Sequence, residues 1–127
     1  MHVEDMSGTP LECWTPEEVF AAQEKGEIVL IDVRTPQEFA FEHIEGGMLS
    51  PLASFKPGYL PTQQGKRIVF HCGSGMRSRR VAEACAGAGI APLAHMAGGF
   101  AAWKTAGLPY IATDPATGGI RHVAKAA

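Results

Sequence analysis

Cysteine is scarce in this 127-residue chain: there are three, Cys13, Cys72 and Cys85, and no two stand in a C-x-x-C spacing. Such an odd, scattered set builds neither a disulfide framework nor a structural zinc site, so no metal is expected, and a thiol used for its reactivity is left open. Aromatic residues are also few, at 8%, and neither sign of charge dominates, with 11 Lys and Arg against 13 Asp and Glu. That balance lacks the basic excess of a nucleic-acid-binding surface, and no nucleic-acid partner is expected. No stretch approaches the roughly 18 apolar residues that span a bilayer. The opening MHVEDMSGTPLEC carries neither a basic leader nor an apolar run. A cytoplasmic chain without a membrane partner is the expectation.

What is present is an ordinary globular composition, 46% hydrophobic with a formal net charge of -2. This length supports one core without staples but not two ordinary domains. No internal repeat, low-complexity block or linker interrupts it. Short apolar runs alternate with helical segments, the pattern of an α/β domain around a parallel sheet.

Residues 11–13 suit a short first strand, and Thr15-Pro16-Glu17-Glu18 follows with helix-start chemistry. Thr15 caps, Pro16 fits the first helical position, and Glu18 closes a capping box. The helix runs to about Lys25 and stops at Gly26. Residues 28–31, Ile-Val-Leu-Ile, form a second strand covered on both faces, which Asp32 ends. Thr35-Pro36-Gln37-Glu38 repeats the helix-start signal before Gly46-Gly47 breaks the chain and Met48-Leu49 offers a brief third strand. Residues 51–61 read as loop with a helical turn, residues 67–71 as the fourth strand, and residues 77–88 as a helix that Gly89 terminates. Residues 93–96 supply a fifth strand, and a last helix opens at Gly98-Gly99 and ends by Gly107 and Pro109. Residues 1–112 therefore read as one domain and residues 113–127 as a surface-wrapping or mobile tail.

The informative segment is His71-Cys72-Gly73-Ser74-Gly75-Met76-Arg77-Ser78, between the fourth strand and the helix after it. Two glycines let the backbone curl so that successive N–H groups face inward. The resulting nest opens at a helix N-terminus, where unpaired donors and the macrodipole favour negative charge. A free thiol near 8.5 falls to roughly 3.5–7.5 in such surroundings, which makes Cys72 the candidate nucleophile. Gly73, Ser74, Gly75, Met76, Arg77 and Ser78 are the candidate anion cradle. Arg77, Arg79 and Arg80 crowd the first helical turn, where the dipole disfavours cations by about 0.3–1 kcal/mol each, so an anion there would offset the cost. Arg77 is read as closing the loop. Arg79 and Arg80 are left between a solvated face and a substrate role.

Three runs in order, DVRTPQEFAFEHIEGG at 32–47, HCGSGMRS at 71–78 and MAGGFAAWKTAGLP at 96–109, together with LECWTPEEV at 11–19, resemble the rhodanese domain. The resemblance implies a three-layer α/β/α fold with a five-stranded parallel sheet in the order 3-2-4-5-1. The loop after the fourth strand then lies at the switch point where open α/β sheets bind ligands. It further implies a thiosulfate sulfurtransferase without a cofactor. In that chemistry Cys72 takes sulfane sulfur from thiosulfate or a persulfide donor and passes it to cyanide or a thiol. Thioredoxin-like proteins and cysteine desulfurases are the compatible protein partners. A non-catalytic carrier or docking module on the same fold is the alternative, and the presence of the loop cysteine weighs against it. The related phosphatases and arsenate reductases need one residue more than the four between Cys72 and Arg77.

Asp32, Arg34 and Glu38 match the family's D-x-R…E pattern and read as scaffold, a strand-end carboxylate with a local ion pair or cap. Arg34 is kept as a candidate for anion binding at the pocket mouth. His43 reads as a hydrogen-bonding turn residue. His71 precedes the nucleophile on a strand and should point away from it. Phe100 and Trp103 are core or pocket wall. Cys85, eight residues past Arg77 and about 12 Å along the axis, is packing. Cys13 reaches Cys72 only through a tertiary contact that the sequence does not reveal.

Overall fold

A computed structural model describes residues 1–126. Local chemistry starts the helices as expected. In α1 (Pro16–Glu24) the Glu18 N–H donates to Thr15 Oγ1 at 3.1 Å and the Thr15 N–H to Glu18 Oε1 at 2.9 Å. The same reciprocal cap, Thr35 with Glu38, opens α2 (Pro36–Phe41). Each box satisfies two donors that a helix start leaves unpaired.

The central sheet contains β1 (His2–Met6), β2 (Thr9–Trp14), β3 (Ile28–Asp32), β5 (Met48–Leu49), β6 (Arg67–His71) and β7 (Leu93–Met96), in the spatial order β1-β2-β7-β6-β3-β5. The parallel strands β5-β3-β6-β7-β2 follow one another in the implied sequence. The expectation of five strands, all parallel, needs correction. The sheet has six strands and is mixed, because β1 folds back antiparallel on β2. A two-residue turn makes this hairpin, with Ser7 at φ 54° and Gly8 at φ 100°. Positive φ at both turn residues matches the right-handed twist of the flanking strands.

Alternation along β6 divides the core. Ile68 and Phe70 pack with Leu11, Cys13, Ile31, Val81 and Cys85 on one face, under α3 (Met76–Gly87). Val69 faces the other way with Val19, Leu30, Ala94, Met96 and Trp103, under α1 and α4 (Gly99–Thr105). Helices therefore cover both faces. Trp103 is fully buried and its indole N–H reaches the Pro109 carbonyl at 2.9 Å. Truncation of so large a buried ring costs about 3–5 kcal/mol.

The segment read as a tail is partly ordered into a second sheet. β9 (Ile120–Val123) pairs antiparallel with β8 (Tyr110–Thr113), which in turn pairs with β4 (Glu42–His43). The Ala126 N–H returns to the Gly107 carbonyl at 2.7 Å. Position 127 of the expected tail lies outside the described residues. Residues 52–54 and 57–59 form two 3-10 turns within the expected loop. Among the described residues, no helix is long and apolar enough to cross a membrane.

Candidate active site

Cys72 follows directly on β6, and the chain turns through Gly73, Ser74 and Gly75 into α3. Gly75 has φ 108°, a left-handed conformation that side chains other than glycine adopt only with strain. This turn brings the Gly75 N–H to 3.0 Å and the Ser78 N–H to 3.3 Å from Cys72 Sγ, with the Ser78 hydroxyl at 3.7 Å. The loop carbonyls face outward to α4, whose first N–H groups would otherwise lack partners. Phe100 N–H donates to the Cys72 carbonyl at 2.7 Å and Ala101 N–H to that of Gly73 at 3.1 Å. Gly99 permits this contact, because a Cβ there would lie 2.5 Å from the Cys72 carbonyl oxygen.

Cys72 is fully buried. Burial pushes its thiol up, but the Ser78 N–H and hydroxyl and the N–H groups of Gly75 and Ser74 outweigh this, and the net shift is downward. Hydrogen bonds to the charged form lower a pKa in this way. The site is thus chemically suited to hold a thiolate or another sulfur anion.

The other expected residues fall in different places. Arg77 does not stand free above the sulfur. Its guanidinium grips Glu38, with contacts of 2.6 and 3.0 Å to the two carboxylate oxygens, and passes 3.0 Å from where a Cβ on Gly73 would lie. Ser74 and Met76 are exposed on the loop rim. Arg34, the candidate for the pocket mouth, is instead buried. It makes a bidentate pair with Asp32, donates to the Glu42 carbonyl at 2.7 Å, and lies over the Phe100 ring. Its guanidinium is committed to the scaffold, although Arg34 also lines a 510 Å³ cavity with Arg77, Arg80, Val33 and Leu52. His71 points toward Asp32, at 3.6 Å, and His43 donates its Nδ1–H to the Phe39 carbonyl at 2.7 Å while stacking on the Phe39 ring. Both fit their structural readings. Cys85 lies on the inner face of α3, packed in the core.

Sequence reasoning missed His95 and left Cys13 unresolved. The ring of His95 touches the Ser78 hydroxyl at 2.7 Å and Cys13 Sγ at 3.5 Å. Their signal lay in position: both stand near the C-terminal ends of parallel strands, His95 on β7 beside β6 and Cys13 on β2 beside β7. His2, Glu4 and Cys13 bring one potential ligand atom each within 4.8 Å, but the Glu4 carboxylate is already engaged by Arg79 and His2.

Residues 15–106 match the family model described as Rhodanese-like domain. The chain belongs to the rhodanese-like family. It is 37% identical over 101 residues to the uncharacterized protein slr1261 of Synechocystis, covering 80% of this chain and 56% of that protein. This chain thus spans little more than half of that relative. It is 32% identical over 90 residues to the thiosulfate sulfurtransferase GlpE of Pseudomonas syringae, covering 71% of this chain and 84% of that one. A solved structure from Rhodopseudomonas palustris, described as a possible tyrosine phosphatase, superposes with a TM-score of 0.64 at 30% identity, covering 76% of this chain and 82% of the other. The relatives of this rhodanese-like domain therefore include proteins named as sulfurtransferases.

Proposed function

We propose that this rhodanese-like domain is a sulfurtransferase that carries sulfane sulfur as a persulfide on Cys72. The observation that carries the reading is the donor set around Cys72 Sγ, two backbone N–H groups at 3.0 and 3.3 Å in a loop of four residues. In the first step the Cys72 thiolate attacks the outer sulfur of thiosulfate. The sulfur–sulfur bond of the donor breaks, and sulfite leaves with its electron pair. In the second step cyanide or a thiolate attacks the outer sulfur of the persulfide, and the Cys72 thiolate is released. Sulfur anions at each stage gain from donors already in place, which need not reorganise during reaction. Persulfide donors enter by the same exchange, with a thiolate as the leaving group.

The exposure of Ser74 and Met76 on the loop rim supports exchange with a protein donor or acceptor, such as a desulfurase or a thioredoxin-like protein. The Rhodopseudomonas relative favours one second reading, phosphate-ester hydrolysis. Against it stand the four-residue loop and the pairing of Arg77 with Glu38, which occupies the cation a phosphate would need. Thiocyanate formation from thiosulfate and cyanide, compared between the wild type and Cys72→Ser, tests the proposal. Turnover lost in the variant supports sulfur transfer. Thiosulfate-inactive protein that hydrolyses an aryl phosphate through Cys72 supports the second reading.

A further inference from the structure

Behind the Cys72 loop, continuing from Ser78, lie two buried polar groups, His95 and Cys13, for which the sulfur-transfer steps need no role. β2 and β7 are parallel neighbours with Cys13 in register with His95. Cys13 is 1% exposed and His95 6%. Cys13 Sγ lies 3.5 Å from His95 Nε2, His95 Nδ1 lies 2.7 Å from Ser78 Oγ, and Ser78 Oγ lies 3.7 Å from Cys72 Sγ. The imidazole therefore links a buried thiol at one end to the candidate nucleophile at the other.

The protonation of each group gives this row a direction. Burial, aided by the Glu4 charge, pushes the Cys13 thiol up, so it keeps its proton and can donate. Burial pushes His95 down, which leaves the ring neutral at pH 7. The titratable and charged groups facing the ring are Glu4 and His2 of β1 and Arg79 of α3. Glu4 opposes the shift, while Arg79 and His2 add to it. Arg79 is itself paired with Glu4.

A neutral imidazole has one N–H and one acceptor nitrogen. The Cys13 S–H has two acceptors, the Leu11 carbonyl at 3.8 Å and His95 Nε2 at 3.5 Å; when it donates to the nearer, Nε2, the ring proton sits on Nδ1 and is donated to Ser78 Oγ. The hydroxyl proton of Ser78 then has two acceptors, the Gly75 carbonyl at 3.2 Å and the Cys72 sulfur at 3.7 Å, and a thiolate at Cys72 is the stronger one. In the other tautomer Ser78 donates to Nδ1 and turns its lone pairs on the sulfur, with the proton directed away. The tautomer thus decides whether a thiolate at Cys72 faces a donor or an acceptor.

We infer that His95 is a positioning residue: the Cys13 thiol holds its ring in the Nδ1–H tautomer, and the ring in turn directs the Ser78 hydroxyl proton onto the Cys72 sulfur. The benefit is largest where Cys72 is a full thiolate, and it therefore assists the step in which that thiolate leaves its persulfide. The inference rests on Cys72 being the reactive thiol but not on which molecule supplies sulfur.

Alkylation of Cys72 by iodoacetamide, followed by peptide mass across a pH series, reads the thiolate without any sulfur donor. A chain inactive with thiosulfate still decides the question. His95→Leu removes both nitrogens and suits a buried site. His95→Asn returns a polar group near the Nδ1 position without reaching Cys13. The midpoint of the Cys72 profile should rise by about one pH unit in His95→Leu, a tenfold loss of thiolate below the midpoint. Ser78→Ala should produce a similar rise, and the double variant should add little to it. His95→Asn should return most of the way to wild type, and Cys13→Ala should shift the midpoint upward by less. The inference is overturned by an unmoved midpoint in His95→Leu, by shifts of His95→Leu and Ser78→Ala that simply add, or by equal shifts in the Leu and Asn variants. Should His95→Leu fail to fold, the smaller truncation Cys13→Ala decides: an upward midpoint supports the arrangement and an unmoved one overturns it.

Discussion

Glu38 holds the Arg77 guanidinium with both carboxylate oxygens, at 2.6 and 3.0 Å, and so ties the start of α2 to the start of α3 beside the Cys72 loop. One residue thereby serves two elements, since the same carboxylate closes the capping box with Thr35. Two of the three arginines at this helix N-terminus, whose dipole disfavours them, are paired with carboxylates: Arg77 meets Glu38 and Arg79 meets Glu4.

Acid titration should report this pair. The Arg77 guanidinium, with the Thr35 N–H, holds Glu38 down at about 2 from the ordinary 4.5. A carboxylate depressed in the folded state stabilises the fold above its unfolded value, and that contribution is lost as pH falls through the folded one. Both partners are about one-third exposed, so solvent screening keeps the pair below about 1 kcal/mol. Glu38→Gln retains a capping residue and removes the charge. In thermal melts, the gap between wild type and Glu38→Gln should narrow as pH drops from 4.5 toward 2. A gap independent of pH contradicts the assignment.

Gly99→Ala tests the contact between α4 and the loop. Its Cβ would meet three backbone atoms of residues 72–74 at 2.5, 2.6 and 2.7 Å, at a residue whose φ is already 60°. Backbone cannot give way as a side-chain tip can. Overpacking and left-handed strain together should cost about 3 kcal/mol in urea unfolding, and sulfur transfer should fall with them. Wild-type stability and turnover in this variant contradict the described packing.

Loop length is tested by inserting one glycine between Gly75 and Met76. The insertion displaces the Gly75 and Ser78 N–H groups relative to one another, and misplacement of about 1 Å is enough to cost roughly a hundredfold in rate. Thiocyanate production should fall by that order while the melting temperature changes little. Unchanged turnover contradicts the cradle.

The sequence made the chemistry of the loop and the helix starts legible because both are local. Thr15-Glu18 and Thr35-Glu38 form their boxes within four residues, and His71 to Ser78 contains the thiol together with most of its donors. Strand β1 escaped because His-Val-Glu-Asp-Met has no strong alternation, although Ser7-Gly8 is a two-residue hairpin signal. Strand β9 escaped because its partner β8 supplies the order and its own residues are mostly exposed. The scaffold pairing of Arg34 with Asp32 was legible because it is local, but not the Glu42 carbonyl of β4 and the Phe100 ring of α4 that complete its buried surroundings. His95 and Cys13 are 82 positions apart, and only the strand order joins them.

Thiol reactivity should separate the three cysteines. Burial pushes Cys85 up to about 11 and also raises Cys13, whereas Cys72 is lowered by its hydrogen bonds despite burial. Brief iodoacetamide treatment at neutral pH should modify Cys72 while sparing the other two, as read by peptide mass. Cys85→Ala should keep sulfur transfer and lose about 1–2 kcal/mol of stability through the small cavity it leaves. Preferential labelling of Cys85 contradicts the assignment.

The most direct test of the central claim is the intact mass of the protein after exposure to thiosulfate without an acceptor, for the wild type and for Cys72→Ser. Wild type should gain the mass of one sulfur atom and lose it again on addition of cyanide, and Cys72→Ser should gain nothing. A folded wild type that gains no sulfur from either thiosulfate or a glutathione persulfide, or a Cys72→Ser protein that gains as much as wild type, contradicts a persulfide carried on Cys72.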